Sequence, residues 1–329
     1  MATACLPSPR TERVDSPPDD LQCGPRGRRG VAGVRRTVAV LTGLCLIVVA
    51  AACGERGQPS SAPPATPSAS SERPAAGDHQ LTLKHNGLDR SYLLHAPPGY
   101  DPNRSPALVI ALHFYPGSGS AMWELAGLDA KADKDNVLVA YPDGQGGGFN
   151  ALICCGKADD VGFLNALTDH LVQTWHADPN RVFLTGISNG GDMSFRAAVE
   201  STGTFAAIGV VSGGYSGHLT TADSYVPKSP VSVITFIGGQ DRYASTFQTG
   251  MRTWQQRLNC RPSPKASGVP GATHTVAGCA DGSEVSVYTL ADMGHSWPGA
   301  KAGQLAASDA GLSATDLMWE FFAAHPRKG

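Results

Sequence analysis

The feature that most constrains the fold is a G-x-S-x-G pentapeptide at residues 186–190, with Ser188 at its centre. The sequence predicts a strand directly before it, at 181–185, and a helix directly after it, at 191–200. A strand that turns sharply into a helix lifts the serine hydroxyl above the sheet edge, and the flanking glycines give the backbone the room this turn requires. This placement favours a nucleophilic serine over an ordinary tight turn, and the N-terminus of the helix would stabilise negative charge there.

Strand and helix patterns alternate along the rest of the chain. Residues 107–113 form a continuous apolar run, which is typical of a strand buried on both faces. Further strands are predicted at 90–96, 137–141, 206–211, 231–237 and 284–290, and further helices at 121–134, 161–175 and 313–324. Such alternation predicts an α/β fold with a mostly parallel central sheet and helices on both faces.

A serine hydroxyl needs a base to take its proton, and the base needs an acid to orient it. Where the serine sits on this kind of turn, the acid and then the histidine follow it along the chain. His295 follows the predicted strand 284–290, whereas the other downstream histidines lie in polar or terminal contexts, at His218, His274 and His325. Asp241 follows the strand 231–237, and its rival Asp292 lies too close to the histidine in sequence. We therefore predict Asp241 as the acid and His295 as the base.

A tetrahedral intermediate needs two backbone N–H groups aimed at its oxyanion. Asn189, the residue after the serine, is predicted to supply one of them. The second is expected from the loop after the strand 107–113. Because Pro116 in that loop has no N–H, either Phe114 or Tyr115 must donate.

Two further side chains are candidates for contact with the substrate. His113 begins the predicted oxyanion loop, and Trp297 lies beside the predicted base, where it either lines the acyl pocket or packs in the core. The sequence has no C-x-x-C pair and no H-E-x-x-H motif, and its glycine-rich stretch at 144–148 lacks the Lys-Ser/Thr that ends a phosphate loop. We therefore predict neither a metal nor a cofactor.

The N-terminal region predicts export and a lipid anchor. Arg35 and Arg36 precede an apolar run at 38–52, which is short for a membrane span of roughly 20 residues but suits a signal peptide. Small residues directly before Cys53 resemble a lipoprotein cleavage box and predict lipidation of that cysteine; a plain signal peptide or a short anchor helix is the alternative. The predicted segments are a disordered leader with its signal peptide at 1–53, a Pro/Ser/Ala-rich linker at 54–78 and an α/β catalytic domain at 79–329.

Cysteine usage and charge indicate the environment and the partners. The chain has eight Cys, and those of the predicted domain are expected to form disulfides outside the cytoplasm. We favour the pair Cys260 and Cys279, which closes a Pro- and Gly-rich excursion, and leave open whether Cys154 and Cys155 form a vicinal disulfide or stay thiols. The net charge of -2 gives no indication of a nucleic-acid partner, and we expect a monomer.

Short motifs are spread over nearly all of residues 81–329. The most specific are GISNGG at 186–191 and GHSWPG at 294–299; the others are RSY at 90–92, PPGY at 97–100, LH at 112–113, GSG at 117–119, YPDG at 141–144, CCG at 154–156, DDVGF at 159–163 and DPNRV at 178–182. In these motifs the chain resembles the secreted polyhydroxybutyrate depolymerase and feruloyl esterase group of carbohydrate esterase family one. The resemblance implies an α/β-hydrolase fold, ester hydrolysis without a metal, and a triad at Ser188, Asp241 and His295.

Two departures from the pattern of that group bear on the range of substrates. Phe114 stands where the group has Gly after His113, and a bulky residue there is expected to change the oxyanion loop and narrow the acyl site. The acid loop at 239–243 lacks the usual small residue before its Asp and the usual Val-Pro after it.

Together these features predict a secreted serine esterase, anchored by lipid to the outer face of the cytoplasmic membrane. Its substrate would be a feruloyl or acetyl ester or a polyhydroxyalkanoate, cleaved through an acyl-enzyme. Two alternatives stay open: a non-catalytic surface lipoprotein that binds a ligand or receptor on the same scaffold, and an acyltransferase or peptidase that uses the same triad.

Overall fold

The apolar runs of the sequence form buried strands in the computed structural model, which describes residues 74–328. The strands are β1 (Gly77–His85), β2 (Leu88–Ala96), β3 (Ala107–Leu112), β4 (Val137–Pro142), β5 (Val182–Ile187), β6 (Ala207–Val211), β7 (Ser232–Gly238), β8 (Arg261–Lys265), β9 (Ala272–Gly278), β10 (Glu284–Leu290), β11 (Trp297–Pro298) and β12 (Ala306–Ala307). The α-helices are α1 (Gly119–Ala126), α2 (Asp129–Asp135), α3 (Asp160–Thr174), α4 (Asn189–Glu200), α5 (Ala244–Arg257) and α6 (Ala314–Ala324).

Within the described residues the first ten strands form one sheet, in the order β1-β2-β4-β3-β5-β6-β7-β10-β9-β8. The pairings from β4 through β3, β5, β6 and β7 to β10 are parallel, and antiparallel pairs occupy both edges. Every residue of β3 to β7 is buried, as expected for strands covered on both faces. The predicted mostly parallel sheet is confirmed.

Helices cover the two faces of the sheet, and each face has its own apolar core. Helices α3, α4 and α5 pack into one core, and α1, α2 and α6 pack into the other. In the second core Phe183 of β5 stacks on Phe322 of α6, with 4.8 Å between the ring centroids. Because parallel strands end at the same edge of a sheet, the loops after β3, β5, β7 and β10 meet at its carboxyl edge, where ligands bind in open α/β sheets.

The predicted elements are present, with differences that have physical causes. The helix predicted at 121–134 is two helices, because Gly127 adopts a left-handed φ of 57° and ends α1. Helix α5 was not predicted, since its sequence is rich in Thr and Gln and buries only one face. Strands β1, β8 and β9 also lie outside the prediction, because β1 and β8 are largely exposed, β9 is only partly buried, and all three carry a weak apolar signal.

The predicted export segment lies outside the described residues. This applies to the leader 1–53, to the lipidation site Cys53 and to most of the linker, which therefore stay predictions. Strand β1 begins at Gly77, slightly ahead of the predicted domain boundary. Across residues 74–328, no helix combines the length and the apolar character that crossing a membrane requires.

Two disulfides are present in the described part of the chain. One joins Cys260 to Cys279, the pairing that the sequence favours, and the other joins the neighbours Cys154 and Cys155. The first closes an excursion at the sheet edge that contains β8 and β9, which pair antiparallel. Every residue of β8 is exposed, so little apolar burial holds this excursion in place.

We predict that replacing both Cys260 and Cys279 by Ala lowers the free energy of unfolding by roughly 3 kcal/mol, because the bond restricts the unfolded chain. Thermal unfolding followed by circular dichroism measures the effect. The matched control replaces Cys154 and Cys155 by Ala, since that bond links adjacent residues and closes almost no loop. An unchanged melting temperature in the first variant would contradict the prediction.

Candidate active site

Ser188 occupies the turn between β5 and α4 with a backbone conformation that few residues adopt. Its φ is 56° and its ψ is -122°, values that cost energy unless the surroundings hold them. The Ser188 N–H donates to the carbonyl oxygen of Val211 at 3.0 Å. A Cβ atom at Gly190 would collide with the carbonyl oxygen of Leu112, so glycine there lets α4 begin directly against the end of β3.

His295 and Asp241 meet at the carboxyl edge of the sheet, on the loops after β10 and β7. The distance between His295 Nδ1 and Asp241 Oδ2 is 2.6 Å, and because an ionised carboxylate only accepts, Nδ1–H is the donor. The Asp241 side chain is fully buried, and its Oδ1 accepts from the Tyr243 N–H at 2.9 Å. The other ring nitrogen of His295, Nε2, is then the one that can take a proton. Asp292, the rival acid, lines a neighbouring cleft instead.

The acid loop and the histidine loop are held together through their backbones. The Gln240 N–H donates to the carbonyl oxygen of Met293 at 2.9 Å. A Cβ atom at Gly238 would collide with the carbonyl oxygen of Gly294, so the two loops approach more closely than any other residue would permit. This contact fixes the spacing between Asp241 and His295 without using either side chain.

His113 is fully buried beneath the oxyanion loop and does not line the cleft. Its Nε2 accepts from the Gly144 N–H at 2.9 Å, so its Nδ1–H donates to the carbonyl oxygen of Phe114 at 2.7 Å. Burial lowers the pKa of His113, which favours this neutral form. The predicted contact of His113 with substrate is therefore corrected, because both ring nitrogens are used to hold the loop.

The three predicted oxyanion residues lie together at the cleft. Phe114 lines it although the ring is largely buried in the core, whereas Tyr115 is half exposed. The peptide bond between Tyr115 and Pro116 is cis. Asn189, the first residue of α4, also lines the cleft.

The side chain of Asn189 has a second use that the sequence did not indicate. Its Oδ1 accepts from the Phe149 N–H at 2.8 Å, and its Nδ2 donates to the carbonyl oxygens of Phe149 at 3.0 Å and Cys154 at 3.1 Å. The segment with the Cys154–Cys155 disulfide is thereby attached to the residue next to the serine. No pattern in the sequence could reveal this, since the partners are backbone groups distant along the chain.

A buried ion pair holds the connection between β4 and α3, part of which lines the cleft. Arg90 Nη2 lies 2.6 Å from Asp160 Oδ1, and neither side chain is exposed to an appreciable extent. The same Arg90 nitrogen donates to the carbonyl oxygen of Asp143 at 3.2 Å, and the guanidinium lies 3.9 Å from the Phe163 ring centroid. Asp160 Oδ2 accepts from the Asn150 N–H at 2.6 Å. The pair thus links β2, α3 and the connection between β4 and α3.

The candidate catalytic residues open onto one cleft of about 630 Å³. Its lining includes Ser188, Asn189, Asp241, His295, Phe114, Tyr115, Cys154, Cys155, Asp192, Ser212, Arg242 and Gln304. Three exposed apolar side chains stand at the cleft: Tyr115, Ile153 and Tyr243. A cleft with an apolar rim and convergent polar groups is typical of a small-molecule site.

Trp297 does not reach this cleft. Its ring is fully buried, and its Nε1–H donates to the Thr315 hydroxyl at 3.0 Å. Thr315 in turn donates to the carbonyl oxygen of Ala126, which ties α6 to the end of α1. The prediction that Trp297 lines the acyl pocket is therefore corrected in favour of core packing.

Asp192 is a cleft residue that the sequence analysis missed. It lies on α4 one turn after Ser188, and its N–H donates to the Ser188 carbonyl oxygen at 2.9 Å. The carboxyl is buried, and Oδ1 accepts from the Gly214 N–H at 2.8 Å. Burial raises its pKa to about 7, and the Gly214 hydrogen bond opposes that shift. The available signal in the sequence was an acidic residue four positions after the predicted nucleophile.

A possible metal-ligand group among the described residues lies elsewhere. Ligand atoms of Asp78, His95 and Asp129 come within 4.8 Å of one another, and none of these residues lines the cleft. His95 Nδ1 lies 2.6 Å from Asp78 and its Nε2 lies 3.0 Å from Asp133. Hydrogen bonds within the group account for its geometry.

Comparison with known proteins gives several similar chains. No model of a known protein family matches the chain. It is 29% identical to the provisionally named esterase NocK of Nocardia uniformis subsp. tsuyamanensis, over 84% of this chain and 96% of that protein. It is also 29% identical to feruloyl esterase C of Emericella nidulans, over 79% of this chain and 94% of that protein.

A solved structure shows the same fold at lower identity. The acetyl xylan esterase of Aspergillus awamori superposes with a TM-score of 0.57 and 16% identity, over 75% of this chain and 99% of that one. At this identity the likeness concerns the α/β-hydrolase fold, which agrees with the fold expected from the motifs.

We predict that Asp192→Asn changes how stability depends on pH. Because the folded state binds the Asp192 proton more tightly than the unfolded chain, the wild-type free energy of unfolding falls as the pH rises from about 4 to about 7. The amide keeps the acceptor for Gly214 and does not titrate. The free energy of unfolding of the variant, relative to that of wild type, should therefore be higher at pH 8 than at pH 4 by on the order of 2–4 kcal/mol.

Urea unfolding at the two pH values measures this difference. The matched control is Asp169→Asn, which changes an exposed carboxyl on α3. If the difference in free energy of unfolding between wild type and Asp192→Asn is the same at both pH values, the raised pKa of Asp192 is refuted.

Proposed function

We propose that this chain, a carboxylic ester hydrolase related to the feruloyl esterase group of the α/β-hydrolases, uses Ser188 as nucleophile, His295 as base and Asp241 as the acid. The observation that carries the proposal is the 2.6 Å contact between His295 Nδ1 and Asp241 Oδ2, in the cleft that also contains Ser188. A hydroxyl, an imidazole and a buried carboxylate on three separate loops are the groups that nucleophilic ester cleavage needs.

In the proposed reaction His295 Nε2 takes the Ser188 proton while Oγ attacks the ester carbonyl carbon. Asp241 keeps the proton on Nδ1 and stabilises the imidazolium that forms. The imidazolium then returns a proton to the departing alcohol, which leaves an acyl group on Oγ. A water molecule, deprotonated by the same Nε2, attacks the acyl carbon and forms a second tetrahedral intermediate. As its bond to Oγ breaks, the imidazolium returns the proton to Oγ, which releases the acid and restores the Ser188 hydroxyl.

The oxyanion formed in both steps would be bound at the N-terminus of α4. The Asn189 N–H is the first donor of that helix, and the positive end of the helix dipole lies behind it. The second donor would be the N–H of Phe114 or Tyr115. The His113 contacts with Gly144 and Phe114 support this role, because they hold the donor loop in place.

The substrate class follows from the names of the relatives and the character of the cleft. The relatives indicate feruloyl and acetyl esters, and the motif resemblance adds polyhydroxyalkanoates. The apolar side chains of Tyr115, Ile153 and Tyr243 at the cleft support an acyl group or polymer chain that is partly apolar. We include in the proposal a secreted monomer that is anchored through a lipid on Cys53.

We predict that Ser188→Ala lowers the rate of ester hydrolysis by about 10⁴-fold or more, because the nucleophile is lost. Asp241→Asn should lower it by about 10³–10⁴-fold, because an amide cannot hold the productive imidazole tautomer. The measurement is hydrolysis of p-nitrophenyl esters from acetate to octanoate and of methyl ferulate by the full chain. The rates across this series of esters also show which acyl size is hydrolysed fastest.

The matched control is Ser201→Ala, which removes a buried hydroxyl at the other end of α4 that makes no hydrogen bond within the described structure. Its activity should equal that of wild type. Absence of turnover in wild type and Ser188→Ala alike would instead favour a binding scaffold, and rapid transfer to an added alcohol in place of hydrolysis would favour an acyltransferase.

A further inference from the structure

We propose that Asp192 and Ser212 form a recognition site for a hydroxyl group, so that the natural substrate is an ester with a hydroxyl close to the scissile carbonyl. This inference rests on the proposed function, since it concerns the same cleft. It assigns Asp192 and Ser212 a role in specificity and none in proton transfer during the reaction.

The position of Asp192 places its carboxyl next to the reacting atoms. It lies on α4 four residues after Ser188, so the two residues are about one helical turn apart, a rise of about 6 Å. Both residues line the same cleft. A group bound by Asp192 must therefore lie close to the ester bond. A phenolic hydroxyl on the far side of an aromatic acyl group would be farther from the ester bond than this.

The hydrogen-bonding capacity of Asp192 is only partly used. Oδ1 accepts from the Gly214 N–H, whereas Oδ2 has no hydrogen-bond partner among residues 74–328. No cation forms an ion pair with the carboxyl in that part of the chain. Because the residue is largely buried and lines the cleft, a ligand bound there is placed to supply a donor to Oδ2.

Ser212 has a second polar group without a partner, at a residue that lines the same cleft. Its side chain is fully buried, its Oγ has no hydrogen-bond partner within the described structure, and it follows directly after β6. Its backbone has a left-handed φ of 44°, which is uncommon for serine. Its backbone N–H donates to the carbonyl oxygen of Phe236 at 3.0 Å, so the residue is fixed by the sheet while its hydroxyl makes no hydrogen bond within the described structure.

Glycines bring these two residues together. Gly191 on α4 and Gly213 on the loop after β6 touch so closely that a Cβ on Gly213 would lie 2.9 Å from the Gly191 Cα. The residues on either side of this contact, Asp192 and Ser212, are thereby placed on adjacent walls of the cleft. Substitution of either glycine would separate the walls.

A hydroxyl is the ligand group that satisfies both side chains. It donates its proton to Asp192 Oδ2 and accepts from the Ser212 hydroxyl, which can act as donor or acceptor. A methyl group at this place would leave both polar groups desolvated and unpaired, and such sites reject the analogue that lacks the hydroxyl. An ammonium group would leave the donor capacity of Ser212 unused, and Arg242 lines the same cleft and would repel it.

The test compares matched esters by pH-stat titration with the full-length chain. Ethyl butyrate is the reference, ethyl 3-hydroxybutyrate has the hydroxyl on the acyl side, 2-hydroxyethyl butyrate has it on the alcohol side, and ethyl 3-aminobutyrate has an ammonium group. The readout is the ratio of kcat/KM to that of ethyl butyrate, because this ratio does not depend on how much of a variant is folded. We expect one of the two hydroxylated esters to be preferred by about tenfold or more.

The variants are Asp192→Asn, which keeps the acceptor for Gly214 and replaces Oδ2 by a donor, and Ser212→Ala. Each variant should reduce the preference for the hydroxylated ester at least fivefold while it still hydrolyses ethyl butyrate. The control Ser201→Ala should leave that preference unchanged. The side on which the hydroxyl is preferred identifies the acyl or the alcohol as its source.

Three results would overturn the inference and leave the proposed esterase function intact. The wild type could hydrolyse all four esters at equal rates, it could prefer the amino ester, or both variants could retain a preference for a hydroxylated ester. If the wild type hydrolyses none of the four esters, the proposed function fails and the inference fails with it.

Discussion

The close approach of backbone at the start of α4 is the constraint on which the rest of the site depends. Gly190 lies against the carbonyl of Leu112, where any side chain would collide, and Ser188, two residues before it, holds a φ of 56°. This contact brings the end of β3 to the N-terminus of α4, so the predicted oxyanion loop and the serine share one edge.

The surrounding loops are fixed mainly by backbone groups and buried ions, away from the residues proposed to act. His113 uses both ring nitrogens on the backbone of the predicted oxyanion loop and of Gly144. The Arg90–Asp160 pair holds the chain around Asn150 through a 2.6 Å hydrogen bond. Since a buried pair is costly to break, these contacts favour rigidity of the cleft walls, and preorganised donors are what stabilise a developing oxyanion.

The sequence predicts those parts of the site that follow from strand order. Asp241 and His295 could be assigned because each lies just after a strand that reads as buried, and such strands share an edge. Trp297 and His113 were assigned to the substrate from proximity along the chain, and the structure turns both rings into the interior. Proximity in sequence does not fix the direction of a side chain, because the turn geometry that decides it depends on distant partners.

The same limitation explains why Asp192 and the Asn189 side chain were missed. In a helix that packs against a sheet, polar residues are ordinarily expected on the solvent side, and the polar first turn of α4 gives no sign that it is buried. Its burial depends on Gly213, which approaches Gly191 from a loop more than twenty residues away. That contact belongs to the tertiary structure alone.

The N-terminus of α4 therefore serves several demands at once. It would stabilise the oxyanion through Asn189, and it also lies beside the buried carboxyl of Asp192, whose negative charge would oppose a second negative charge nearby. Burial raises the Asp192 pKa to about 7, which reduces this opposition near neutral pH. A ligand hydroxyl that donates to Oδ2 would favour the ionised carboxylate. Recognition of such a group and stabilisation of the oxyanion would then make competing electrostatic demands on the same turn of helix.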